Sequence, residues 1–152
     1  MMIIESRGGE MIPKFRVWFS EASQMITDDL ESINLFAETV TITSGYYDNF
    51  TDVYAFGSIE VDIGNAILMQ STGLKDLNGV EIYDGDIVRV TDDDGRTDFS
   101  DGGIGTVCGL KELGMWYIGG QVQNGLFDIN HCYYIEVIGN IYENPELLEV
   151  AE

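Results

Sequence analysis

The chain is poor in the residues that carry most enzyme and metal chemistry. Its 152 residues include one histidine, His131, and two cysteines, Cys108 and Cys132. A structural zinc site wants four nitrogen or sulfur ligands at recognisable spacing, which this set does not supply. No secretory pattern opens the sequence: "MMIIESRGGEM" has acidic residues and only a short apolar patch. Two free thiols in a reducing, cytoplasmic setting are therefore expected. Basic residues are scarce too, seven Lys and Arg against 27 Asp and Glu, for a formal charge of −20. Lys14, Arg16, Lys75, Arg89, Arg96 and Lys111 are scattered, so direct nucleic-acid binding, which rests on clustered cations, is not expected. No segment approaches the ~20 consecutive apolar residues of a membrane span, so no membrane partner is expected either. No Gly-rich phosphate loop followed by Lys-Ser or Lys-Thr occurs.

What is present reads as β structure. The 18 glycines are spread along the chain and only two prolines occur, so glycines punctuate short runs rich in β-branched and aromatic residues. "KFRVWF" (14–19), "TVTIT" (39–43), "DVYAF" (52–56), "SIEVDI" (58–63) and "AILMQ" (66–70) are expected strands, with Gly45, Gly57 and Gly64 separating the last four. "TDDLESINLF" (27–36) fits either a helical turn or two or a strand, and strand or irregular structure is taken. Further on come "DIVRV" (86–90), "IGTVCGL" (104–110), "MWYIGGQV" (115–122) and "YYIEVIGNIY" (133–142), with "GGQVQNG" (119–125) as a hairpin connection. Asn144 before Pro145 caps a closing helical turn. Closely spaced strands without βαβ spacing predict an antiparallel barrel or roll. Val88, Val90, Val107, Ile135, Val137 and Tyr117 are expected on its inner face. A single domain over 11–149 is expected. Residues 1–10 form an extension, with translation expected to start at Met11 because "RGGE" can spell a ribosome-binding site, and 150–152 form a tail.

The densest stretch is "TGLKDLNGVEIYDGDIVRV" (72–90). Asn78-Gly79 predicts a type I′ hairpin turn, which needs positive φ at both central residues. Asp84-Gly85-Asp86 predicts a tight bend, with Gly85 in a conformation other residues avoid and an aspartate accepting backbone N–H groups. In this reading Thr72, Gly73, Leu74, Lys75, Asp76, Asn78, Gly79, Ile82, Tyr83, Gly85, Asp86, Ile87 and Val88 form a structural motif, neither catalytic nor ligand-binding.

"KFRVW", "LMQSTGLKDLNGVEIYDGDIV" and "IEVIGNIYENPELL", in this order, resemble the YopX family of phage and prophage proteins. The departures are Ser71, where an aromatic residue is common, and Leu77, where a polar one is. The resemblance implies an α+β or mainly β fold containing an SH3-like barrel, encoded by temperate phages or prophages of bacteria, and no established biochemical activity.

Chemical readings compete with structural ones at several points. His131 and Cys132 point to opposite faces if that segment is extended, which precludes a dyad. "TDDDGRTDFSDGG" (91–103) offers Asp92, Asp94, Asp98 and Asp101 to a cation. Aligned on Gly95 as an EF-hand loop, however, it puts Val90 at the first ligand position. Glu81 with Asp84, or Asp84 with Asp86, would act as an acid–base pair only if buried with shifted pKa values. Trp116, Tyr117, Tyr133 and Tyr134 form a candidate interaction surface, although strand spacing turns some of them inward. The expectation is a non-enzymatic module that binds a host or phage protein through a sheet edge or loops, without cofactor or metal, and open to homo-oligomers. Two alternatives are an acidic decoy that occupies a nucleic-acid-binding host protein and an enzyme of unrecognised type.

Overall fold

A computed structural model describes residues 14–28, 30–48, 53–110 and 112–149. The expected extension over 1–10 and tail over 150–152 lie outside the described residues. The chain divides into two compact units, Met1–Met69 and Gln70–Glu152.

In the first unit, β1 (Phe15–Phe19) and β2 (Gln24–Ile26) form a hairpin around a 3₁₀ turn at Ser20–Ala22. Then β3 (Leu30–Asn34), β4 (Thr39–Asp48) and β5 (Val53–Asp62) form an antiparallel meander. Alternation sets its inner face: Val40 and Ile42 are buried between the half-exposed Thr39, Thr41 and Thr43. They join Val17, Ile26, Val61 and Ala66 in one core. Of the expected strand or irregular stretch 27–36, Leu30–Asn34 is strand and 35–36 begin a turn. Gly45 and Gly57, however, do not interrupt strands; each sits inside a ladder, paired with Phe56 and Ser44. Cross-strand backbone bonds carry the chain through a glycine as through any other residue, so the two expected strands merge into one, Val53–Asp62. Gly64 does mark a break, a 3₁₀ turn at Ile63–Asn65.

β6 (Ala66–Lys75) leads into the second unit, where its later part pairs with β7 (Glu81–Tyr83). There β8 (Asp86–Thr91), β9 (Gly103–Leu110), β10 (Met115–Ile118), β11 (Asn124–Gly125) and β12 (Tyr134–Asn140) form an antiparallel sheet in the order β11-β10-β9-β8-β12. The fold is mainly β, and its antiparallel sheet curls into a half-barrel. Two short helices accompany it, α1 (Leu126–Cys132) and the expected closing turn α2 (Glu146–Glu149). Ile82, Val88, Val90, Val107, Ile118, Val122, Leu126, Ile129 and Ile135 make the core, with Val137 packed against it. Each such aliphatic side chain contributes ~1.5–3 kcal/mol.

Two expectations are corrected here. Tyr117 is only half-buried, because Trp116 and the fully buried Ile118 are the residues of β10 that meet the core and Tyr117 alternates to the other face. And 126–132 is a helix: Leu126 and Ile129, three apart, bury one face, while His131 and Cys132 stand exposed. In a helix neighbouring side chains are about 100° apart, so the argument from opposite strand faces does not apply to His131 and Cys132.

Candidate functional site

Within residues 72–90, Thr72, Asp76 and Asp86 spend their polar groups on the backbone. At the β6 bulge, where Gly73 takes φ 78°, the ladder to β7 shifts register between Ser71 and Lys75. The hydroxyls of Ser71 and Thr72 replace the lost partners by accepting the N–H groups of Gly73 and Leu74 (3.1 Å each). The Thr72 hydroxyl also donates to the Ile82 carbonyl at 2.8 Å. Glu81 receives hydroxyls from Ser71 and Tyr83, each at 3.0 Å.

The turn that follows is not type I′, since only Gly79 of the pair has positive φ, at 80°. Oδ1 of Asp76 accepts the N–H groups of Asn78 and Val80 (2.9 Å each), and the Gly79 N–H donates to the Asp76 carbonyl at 3.0 Å. An aspartate at the first position favours this type I turn closed by a left-handed glycine over its mirror image. Oδ2 of the same carboxylate accepts the Val137 N–H at 2.9 Å, and Leu77 N–H donates to the Ile135 carbonyl at 2.9 Å. The turn thereby occupies the edge of β12 next to its own register shift between Val137 and Gly139. At the next corner Gly85 takes φ 83° and Oδ2 of the buried Asp86 accepts the Tyr83 N–H at 2.8 Å, as the sequence led us to expect. Leu74 packs on the core, and Ile82, Ile87 and Val88 are buried.

The acidic loop repeats the device. Oδ1 of Asp92 accepts N–H groups from Asp94 (3.1 Å) and Arg96 (2.8 Å), Gly95 has φ 76°, and the Gly95 N–H donates to the Asp92 carbonyl at 3.0 Å. The Arg96 guanidinium closes the loop on Oδ2, at 2.8 Å from Nη2. These bonds, the Arg96 N–H foremost, hold the Asp92 carboxyl below the ordinary aspartate range, and Asp92 in turn raises the Arg96 guanidinium. The carboxylates of Asp92, Asp93 and Asp94 come within 4.8 Å of one another, but Asp92 has already committed both oxygens.

A cleft of about 570 Å³ lies among the two aspartate turns and the end of α1, lined by Lys75, Leu77, Asp92, Asp93, Asn130, His131, Cys132, Tyr133 and Tyr134 among others. The Asn130 amide donates to the Lys75 carbonyl at 3.1 Å and ties the helix to this wall. Leu77 is 55% and Tyr134 50% exposed at its rim. His131 stacks on Phe127 one turn earlier, with ring centroids 6.2 Å apart, and Tyr133 on Phe99 at 4.7 Å. Of the four aromatic residues expected to form a surface, Tyr133 and Tyr134 meet in this cleft; Trp116 and Tyr117 lie on β10, separated from β12 by two strands in the sheet order. Cys108 lies on β9, half-buried, where burial first and the Asp84 charge second push its thiol pKa up and so oppose the thiolate. Phe127 and Asn130 were not singled out from the sequence, and Leu77 was noted only as an apolar residue where a polar one is common. The i, i+3 pair Leu126 and Ile129 is the signal that would have exposed α1 and with it this wall.

A mainly β chain of two units, with a bulged strand, two aspartate turns and an open sheet, defines the class of protein. The chain belongs to the YopX protein family, whose model matches residues 14–149. It is similar to protein EF1440 from Enterococcus faecalis, with 28% identity and a TM-score of 0.59 over 91% of this chain and 99% of that one. It is also similar to protein yopX from Bacillus subtilis, with 27% identity and a TM-score of 0.50 over 88% and 96%. No curated protein matches the chain. Among the described residues no helix is long and apolar enough to cross a membrane.

Proposed function

We propose that this is a phage- or prophage-encoded, non-enzymatic protein-interaction module acting in the bacterial cytoplasm, and that the cleft beside α1 is its binding face. One observation carries the reading: exposed Leu77 and Tyr134 flank a cleft whose neighbouring carboxylates, Asp76 and Asp92, are spent on backbone N–H groups. Such a surface offers apolar contact and fixed polar edges, and the engagement of those two carboxylates takes them out of proton transfer or attack on a substrate. Contiguous exposed apolar surface rimmed by polar residues marks interaction sites.

The test is a pull-down from lysate of the encoding bacterium with the wild-type chain and with Leu77→Ala/Tyr134→Ala. A specific partner is expected with the first and lost with the second, at unchanged melting temperature. Retention of the same partner by the double variant would place binding elsewhere. The acidic-decoy reading is favoured by the charge of −20 and makes a different prediction. Its partner would be a nucleic-acid-binding protein and would leave as salt rises, whatever stands at 77 and 134.

A further inference from the structure

The β3–β4 hairpin ends in an unusual tip. Leu35 is 80% and Phe36 fully exposed, two adjacent large apolar residues in solvent. Hairpin tips normally carry Gly, Asn, Asp, Ser or Pro, because those residues satisfy turn geometry and cost nothing in water. Here one residue, Asn34, does that work. Its side-chain oxygen accepts the N–H groups of Phe36 (3.1 Å) and Ala37 (3.0 Å), and Glu38 takes the left-handed conformation at φ 53°. The far side is pinned by the Ile63 N–H, which donates to the Glu38 carbonyl at 2.8 Å, and by the Asn34–Thr39 pair that closes the ladder. The backbone is thus ordered before any contact is made, so little conformational entropy is left to lose on docking.

The surroundings select the partner. Glu38 stands two residues after Phe36 in the same turn, and Asp62 and Glu60 lie on β5 opposite Thr39 and Thr41. Over residues 14–69 there are nine acidic and two basic residues. A second copy of the chain would bring another −20, and an anionic bilayer would repel the same carboxylates. We infer that the Leu35–Phe36 tip is a docking plug for a partner protein that presents an apolar pocket with a cationic rim. This surface stands independently of the cleft beside α1 and holds whether or not that cleft binds.

The experiment places the photocrosslinker p-benzoylphenylalanine at position 36 of the full chain, and at exposed Glu21 as control, in the bacterium that encodes it. The expected result is a discrete adduct roughly tenfold more abundant from 36 than from 21, joined to a protein segment richer in Lys and Arg than in Asp and Glu. Its yield should fall severalfold between about 50 mM and about 500 mM salt in lysate. Leu35→Ser in the same chain should cut it a further roughly tenfold, the loss expected when a buried apolar anchor is removed, while the melting temperature stays unchanged. The inference is overturned by no excess over the position-21 control, by an adduct joining two copies of the chain, by an acidic or salt-insensitive partner segment, or by co-flotation of the chain with phosphatidylcholine–phosphatidylglycerol vesicles that disappears in Leu35→Ser.

Discussion

Gly85 sits at φ 83° between Tyr83 and Asp86, with its N–H donating to the Val107 carbonyl at 2.8 Å and its carbonyl accepting from Ile141 at 3.0 Å. Both bonds fix the backbone in a region that a β-branched residue enters only under strain. Gly85→Val is therefore expected to lower unfolding stability by more than ~1 kcal/mol in urea titration. This position was legible from Asp-Gly-Asp alone. Asp76 was legible only as a turn residue, because its bond to Val137, 61 residues later, depends on where β12 lies. The two thiols separate by environment rather than by sequence. Cys132 is exposed on α1, while Cys108 is half-buried with its pKa raised. A disulfide reagent at pH 8 should thus give one fast and one slow phase, and Cys132→Ser should remove the fast one.

At the scale of elements, three connections share one design: Asn34, Asp76 and Asp92 each accept the N–H of the residue two positions on. A side-chain acceptor makes the turn largely independent of what fills the next two positions, which is how Leu35 and Phe36, Leu77, and Asp93 come to stand exposed at the tips. The strands and the Asp84-Gly85-Asp86 corner were readable because period-two alternation and turn chemistry are local. The type I′ expectation failed because it weighed Asn78-Gly79 without the aspartate two residues upstream. α1 was missed for a different reason: seven residues with two buried positions give too weak a helical period beside strong aromatic neighbours. For the acidic turn, Asp92→Ala is expected to speed amide exchange at Arg96 at pH 7. Because the Asp92 carboxyl is held below the ordinary value of about 3.9, its protective effect is complete above that pH and lost as pH falls through the depressed folded-state value. The wild-type Arg96 amide should therefore lose its protection only in that acid range, and Asp92→Ala should show no such step. Unchanged exchange in the variant would mean that the carboxylate does not hold the loop.

For the molecule as a whole, a charge of −20 on 152 residues makes self-repulsion a standing cost. Raising salt from about 10 mM to about 300 mM should therefore raise the melting temperature, by roughly 2–4 °C for each kcal/mol of repulsion screened. A flat response would show the charges to be dispersed or paired well enough not to matter. The central claim is that residues 72–90 hold the fold together by backbone geometry, while the exposed groups with reactive chemistry, His131 and Cys132, hold nothing. Urea unfolding of Asp76→Ala beside His131→Ala/Cys132→Ala tests it most directly. Asp76→Ala strands the N–H groups of Asn78, Val80 and Val137 and should cost ~2–4 kcal/mol, while the double variant should stay within about 0.5 kcal/mol of wild type. An Asp76→Ala protein as stable as wild type, or a double variant that is the less stable of the two, would contradict the account.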